Sequence, residues 1–360
     1  MNARERFNAV MRFEKPDRLP FMEFMFYWPE TLDRWKDEGM PADAEPVAYF
    51  GYDRFEWLPV DFNFIPPFEV QVLEEDEKTR VVRDAVGVVK REFKYGSAMP
   101  HYIDFPIKTR EDFLELKERL DPTSPERYPS HWDKLAASLR NRDYPVGLVC
   151  RGLLAFLRDF MDFNSMSVAF LEQPGWVAEM MDFHTDFLIR YWEKALSEVE
   201  VDMVQLGEDM AFKTGPMISP ALVSELMVPR YKKVTDFLQA HGVPARIIDS
   251  DGDVRSLIPL YLEAGLTGVL PLENNAHCEP VSLREQHPRL QMVGGINKQT
   301  IALGGEHIER ELAEKVGKVG PTGGYIPSFD HSVHPAVSFD AYRHYLARLR
   351  AYCEEAVQPV

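Results

Sequence analysis

Short apolar runs rich in β-branched residues recur along the chain, and each ends in a polar or glycine-rich cluster. Eight of them read as strands: Arg18–Phe24, Arg54–Val60, Val146–Arg151, Asp202–Leu206, Ala245–Asp249, Thr267–Leu272, Leu290–Gly294 and Gly324–Ser328. Several are apolar at nearly every position, which suits strands covered on both faces. Helical patterns lie between most of them. Such alternation implies right-handed βαβ units around a parallel sheet, and eight strands predict an α/β fold of the closed (β/α)8 TIM-barrel class. A doubly wound open sheet is the alternative, but no GxGxxG follows any strand.

One unit carries its boundaries plainly. The strand DMVQL runs into GEDMAFKTGPMI, after which Ser219 stands at an N-cap position with Pro220 at N1. Pro229 inside the following helix predicts a kink, and Gly242 predicts its stop. The loop after the strand is long and ionisable, whereas the loop after the helix is short. In a barrel the long side is where sites are built.

Two regions break the alternation. Residues 69–95 alternate polar and apolar around a charged turn at Asp76–Lys78, which predicts an antiparallel hairpin inserted after the second strand. It serves as a solvated decoration or as a substrate lid. Thr109–Trp132 reads as a capped, charged helix followed by a proline-rich turn. The expectation is a single barrel domain over residues 1–360, with 69–95 as its insertion.

Composition narrows the function. Acidic residues number 58 against 41 basic, a net charge of −17, which argues against a general nucleic-acid binder. The three cysteines, Cys150, Cys278 and Cys353, are far apart and build neither a disulfide framework nor a CxxC zinc motif. The charged N-terminus has no apolar signal region, and no apolar run is long enough to span a membrane. A cytoplasmic protein is expected.

The chemistry collects just past the strand ends. These carry Glu23 and Trp28; Asp61 and Asn63; Cys150 and Arg151; Glu208, Asp209 and Lys213; Asp249, Asp251 and Asp253; Glu273, His277 and Cys278; Asn297 and Lys298; and Asp330, His331 and His334. Each cluster also has a structural explanation. Asp249 and Asp253 can cap a helix, His331 and His334 can cap the helix after Ser338, and His277–Cys278 can be an ordinary loop pair. Carboxylates crowded at one end repel, so a metal, a cation such as Lys213 or a raised pKa must relieve them. Glu208, Asp249 and His331 are the candidate acid/base groups. Glu23, Trp28, Arg151, Asp209, Lys213, Lys298 and Tyr325 are the candidate substrate contacts. Together they suit acid/base or metal-assisted chemistry on an organic molecule.

The segments NARERFNAVMRFEKPDRLPF, GEDMAFKTGPMISP, IIDSDGD, GVLPLE, GGINK and GGYIPSFDHSVHP resemble the uroporphyrinogen decarboxylase superfamily, in its order and spacing. The resemblance is to the decarboxylase-like branch found beside corrinoid-dependent methyltransferases, and it implies a (β/α)8 barrel with the site at the C-terminal strand ends. In the decarboxylase the first strand leads to an arginine-rich loop that holds a tetrapyrrole bearing eight carboxylates. Here that stretch is EFMFYWPETLDRW, acidic and aromatic, so Glu23 and Glu30 would repel such a substrate. His331 still falls where the decarboxylase carries a functional histidine. The thiol-methylating branch holds zinc with His-x-Cys and a later Cys; here Asp249 and Asp251 take the first place, and His331 lies near the second.

The resemblance therefore implies a methyltransferase that moves a methyl group from a small donor, such as an aryl methyl ether, to a corrinoid on a partner protein. Glu208, Asp249, Asp251 and His331 form the zinc or other divalent site that this would use. Arg151, Lys213 and Lys298 would orient an acidic substrate, and the aromatics near Trp28 would cover a ring. The alternatives are decarboxylation of uroporphyrinogen or another acid, and a non-catalytic ligand-binding barrel. A symmetric homodimer is the expected assembly.

Overall fold

The computed structural model describes residues 1–96 and 98–357. In chain order its strands are β1 (Glu56–Trp57), β2 (Gln71–Glu75), β3 (Thr79–Arg83), β4 (Val89–Phe93), β5 (His101–Asp104), β6 (Val146–Arg151), β7 (Met203–Gly207), β8 (Ala211–Phe212), β9 (Gly215–Pro216), β10 (Ala245–Asp249), β11 (Gly268–Leu270), β12 (Gln291–Val293) and β13 (Tyr325–Ile326). Among the described residues, seven of these form one parallel sheet in the order β1-β6-β7-β10-β11-β12-β13. The sheet is curled, consistent with a TIM-like barrel. Its central strands are buried on both faces: the consecutive residues Val146, Gly147 and Leu148 of β6 are buried, as are Ile247 and Ile248 of β10. That is the pattern of parallel strands sandwiched between a filled interior and a helical layer.

The first expected strand, Arg18–Phe24, forms no ladder. Pro20 removes a backbone donor from this stretch, and Pro16 another just before it. The segment is nonetheless tied toward both edges of the sheet. On the β1 side Phe21 donates its N–H to the Asp53 carboxylate, and Asp53 donates its own to the Phe21 carbonyl. On the β13 side Phe24 donates to Ser328 Oγ at 3.3 Å, and the Glu23 carboxylate accepts from the Ser328 hydroxyl.

The insertion is larger than the hairpin the alternation predicts. It is a four-stranded antiparallel sheet, β2-β3-β4-β5, that runs on to Asp104. In the pairing of β4 with β5 the register shifts: Val89 faces Asp104, whereas Lys90 faces Tyr102. Ile103 is the extra residue of a β-bulge. Tyr102 and Asp104 would share a face in a regular strand, but the bulge sends them to opposite faces.

Two expectations about helices have clear physical outcomes. Thr109 and Asp112 form a reciprocal capping box at the helix Arg110–Leu116. Ser219 caps the helix that begins at Pro220, accepting from Leu222 N–H. Pro229 acts on that helix: residues Val223–Met227 widen into a π-type turn before the α-helix resumes at Val228–Ala240. Proline has no N–H for the turn below and its ring crowds the carbonyl there, so the helix takes up the misfit as a bulge.

Candidate active site

The C-terminal ends of β7, β10 and β13 bring four titratable groups together. Asp249 is the last residue of β10, and its Oδ2 accepts from Gln205 Nε2 at 2.6 Å. Burial pushes its carboxyl up to about 7, helped by repulsion from Asp209 and Asp251 and opposed by the Gln205 hydrogen bond. Asp209 follows β7 with φ of 40°, a left-handed conformation that Asp tolerates better than most residues. Its Oδ1 lies 3.3 Å from Asp251 N–H and its Oδ2 3.5 Å from Arg158 Nη2. Its pKa is raised, first by burial and then by Asp251.

His331 closes this cluster from the far side. Its Nε2 is 3.3 Å from Asp251 Oδ2, and its Nδ1 accepts from Ser332 N–H at 2.7 Å. A backbone donor can only meet an unprotonated Nδ1, so the neutral ring carries its proton on Nε2, toward Asp251. The hydrogen bond to Asp251 raises the His331 pKa. The Asp251 loop is fixed by Gly252: its φ is 84°, and a Cβ there would lie 2.2 Å from the Ala211 carbonyl oxygen. Gly252 N–H also donates to Glu273 Oε2 at 2.9 Å.

Other expected site residues lie elsewhere. Glu208, expected as acid and metal ligand, is fully buried, with both oxygens spent on one helix end. Oε1 accepts from Leu153 N–H and Oε2 from Ala155 N–H, each at 2.8 Å. It thus satisfies two orphan donors at the start of the helix Leu153–Phe160, where Gly152 leaves the room: a Cβ there would be 2.3 Å from Glu208 Cδ. Tyr325, expected at the substrate, is buried in the sheet and donates to the Gly294 carbonyl at 3.1 Å. Lys213 is exposed in the turn of the small β8–β9 hairpin. Lys298 is directed to Asp330, with Nζ 4.0 Å from Oδ1. Asp330 is itself buried and also accepts from the Asn274 side chain. Trp28 is partly exposed at the N-cap of the helix Pro29–Asp37. Glu23 is half-buried and pushed up to about 7 by burial, with Ser328 and the N–H groups of Met25 and Phe329 as partners.

The expected zinc set is not assembled. Among the described residues no three His, Cys, Asp or Glu side chains are grouped as metal ligands. Glu208 is committed to its helix, Asp249 to Gln205, and His331 presents Nε2–H to Asp251. The cysteine thiols are no substitute: Cys150 and Cys353 are buried and pushed up to about 12, and Cys278 to about 11. Nor do the histidines cap the last helix. Ser338 caps it, and His334 Nδ1 accepts from Ala336 N–H.

Arg151 and Arg158 supply the cationic side of the site. Arg151 Nε donates to Asp159 Oδ2 at 2.8 Å, and its guanidinium lies 5.0 Å from the Phe62 ring centroid. Arg158, not singled out in the sequence, donates to the carbonyls of Glu208 and Asp209 and so fixes the turn that carries Asp209. Its signal was there to read: a charged pair, Arg158–Asp159, interrupts the otherwise apolar helix LLAFLRDF.

A curled parallel sheet with titratable groups at its C-terminal edge is the architecture of an α/β enzyme. The chain belongs to the uroporphyrinogen decarboxylase (URO-D) family, whose profile matches residues 2–352. Among solved structures it is similar to a methyltransferase from Methanosarcina mazei, at 12% identity over 99% of both chains, with a TM-score of 0.63. More distant similarities are to a B12-independent methionine synthase from Shewanella sp. W3-18-1 (14% identity, 64% of this chain and 67% of that one, TM-score 0.39) and to the E. coli 3-keto-D-glucoside 4-epimerase YcjR (14%, 69% and 95%, 0.36). A comparison with curated protein sequences gives no match. Among the described residues no helix is long and apolar enough to cross a membrane.

Proposed function

We propose that this chain, as a single (β/α)8-type barrel domain, is a cytoplasmic methyltransferase. It moves a methyl group from a small oxygen-linked donor, such as an aryl methyl ether, to a corrinoid carried on a partner protein. The observation that carries this reading is Asp249, a carboxyl held near neutrality at the mouth of the sheet. When the methyl–oxygen bond breaks, the methyl group leaves without its electron pair and the oxygen must take a proton. A carboxyl with a pKa of about 7 gives up that proton readily at neutral pH. Asp251 and His331 set the charge around it, and Asp209 and Arg158 bound its substrate side. Family membership and the overall likeness to the M. mazei methyltransferase support the reading. The residues do not fit the expected zinc set: Glu208 is held by its helix, Asp249 by Gln205, and His331 by Asp251.

Decarboxylation of uroporphyrinogen fits less well. Asp251 already adds to the raised pKa values of Asp209 and Asp249, and eight more carboxylates would increase that repulsion.

The deciding experiment supplies reduced corrinoid, free or on a carrier protein, with a panel of aryl methyl ethers, and follows the methylated corrinoid and the released phenol. Equal amounts of both products are expected. Release of CO2 from a carboxylated substrate, with no methyl transfer from any ether, would overturn the reading.

A further inference from the structure

The helix Gly305–Val319 buries Ile308, Leu312, Lys315, Val316 and Val319 along one stripe. Four of these are apolar. Lys315 takes a core position in their helical spacing and is only 3% exposed. A lysine is almost never buried so fully unless its charge is paired. Here the pairing reaches beyond the helix. An ammonium has three N–H donors. One goes to Glu311 Oε1, one turn back on the same helix, at 2.6 Å. The other two go to strand-end loops: to the Gly295 carbonyl after β12 at 2.8 Å, and to Asn274 Oδ1 after β11. Glu279 Oε2 adds a second carboxylate at 3.6 Å.

The charge of Lys315 also sets the direction of the Asn274 amide. The amide oxygen must face the ammonium, so the nitrogen faces away. Nδ2 spends its two hydrogens on the Gly295 carbonyl at 2.9 Å and on Asp330 Oδ2 at 3.0 Å. Asp330 is buried as well. Its other oxygen accepts from Lys298 N–H at 3.2 Å, and its own N–H donates to the Ile296 carbonyl at 2.9 Å. The next residue is His331, whose ring meets Asp251. A buried chain thus runs Lys315–Asn274–Asp330 and ends at the backbone that carries His331. It ties together the loops after β11, β12 and β13.

Balancing the charge of Lys315 needs only Glu311 and Glu279. The contact with Asn274 does something further. A flipped amide would turn its oxygen toward the Asp330 carboxylate, acceptor against acceptor. It would also set its N–H groups against the ammonium. Lys315 excludes that state and so keeps Asp330 in place.

We infer that Lys315 is a positioning residue for the site: from the helical layer it holds, through Asn274 and Asp330, the loop that sets His331 on Asp251. Its weight in turnover rests on the proposed methyl transfer, in which that pair sets the charge around Asp249. Its hold on the loop does not.

The test is the coupling of Asp251 to the His331 ring, read by NMR on the full chain at a pH where the ring is neutral. In the native sequence Asp251→Asn should shift the His331 ring resonances. The same replacement should leave them nearly unmoved in two backgrounds. One is Asn274→Ala, which leaves Lys315 its carboxylates. The other is Lys315→Met with Glu311→Gln, which removes both members of the buried pair. Lys318→Met, on the exposed face of the same helix, should preserve the full shift. In the two coupled backgrounds kcat for methyl transfer should fall by up to about 10²-fold with KM little changed, the cost of a misplacement of about 1 Å. A full shift in either background would overturn the inference, as would its loss in Lys318→Met. If the double variant does not fold, Asn274→Ala decides alone. Loss of the shift with kcat unchanged keeps the relay and removes the His331–Asp251 pair from the chemistry. Loss of the shift in a chain that demethylates no ether keeps the relay and removes the reaction.

Discussion

Asp251 Oδ2 stands 3.3 Å from His331 Nε2, although their loops follow strands separated by two others in the sheet. In a flat sheet β10 and β13 would lie roughly 14 Å apart, three strand spacings. The contact spans the mouth of a curled sheet and ties two non-adjacent loops together at the site.

That contact is measurable. In an imidazole NMR titration His331 is expected to titrate above the ordinary histidine value, and Asp251→Asn should bring it down. Because the folded pKa is raised, the stabilisation is fully present below the ordinary value of 6.5 and is lost as pH rises through the folded one. Identical titration curves in the two proteins would break the assignment.

Asp249 sets the second expectation. If its protonated form donates to the leaving oxygen, kcat should fall as pH rises through about 7. Asp249→Asn should cost about 10²–10⁴-fold in kcat with little change in KM, the usual weight of a general acid. Asp209→Asn, which removes one repelling charge, should move the inflection to lower pH. An unchanged pH profile in Asp249→Asn would remove this residue from the chemistry.

Glu208 predicts a stability effect. Glu208→Ala removes the acceptor of Ala155 N–H and leaves Leu153 N–H only Tyr231 Oη at 3.2 Å, and should cost about 1–3 kcal/mol in denaturant unfolding. The sign with pH follows from its pKa, which burial pushes from 4.5 up to about 8. The folded chain holds this proton more tightly than the unfolded one, so stability falls as pH rises across that window. Glu208→Gln should flatten the slope.

Metal content gives the fourth. Chelator-washed protein is expected to hold well under one zinc per chain, with the same value in an Asp249→Ala, His331→Ala double variant. One zinc per chain, lost in the double variant, would restore the metal set that the geometry leaves unassembled.

What could be read from the sequence follows the strength of each local signal. β6 and β10 begin and end where their apolar runs do, because both faces are buried and a polar loop follows. Ser219, Pro220 and Pro229 announced their turns, since each acts through its own backbone chemistry. The stretch Arg18–Phe24 misled: it has the apolar content of a strand, but Pro20 inside it cannot donate to a ladder. At the site the crowding of Asp209, Asp249, Asp251 and His331 was legible because strand ends converge in this fold class. The direction of Glu208 was not, because a strand-end carboxylate can turn inward to substrate or sideways to a neighbouring helix. That choice was made by Gly152, more than fifty positions away. Arg158 was missed because helix geometry, not strand order, aims it.

The stave formed by Arg18–Phe24 has a mechanical consequence. Elsewhere the wall of the sheet is stitched by backbone ladders, but at this seam it is held largely by the side chains of Asp53, Glu23 and Ser328. A wall opens first along its least-stitched line. The seam ends where Phe26 and Trp28 exchange backbone hydrogen bonds with Val333, so opening there would be hinged at the aromatic rim.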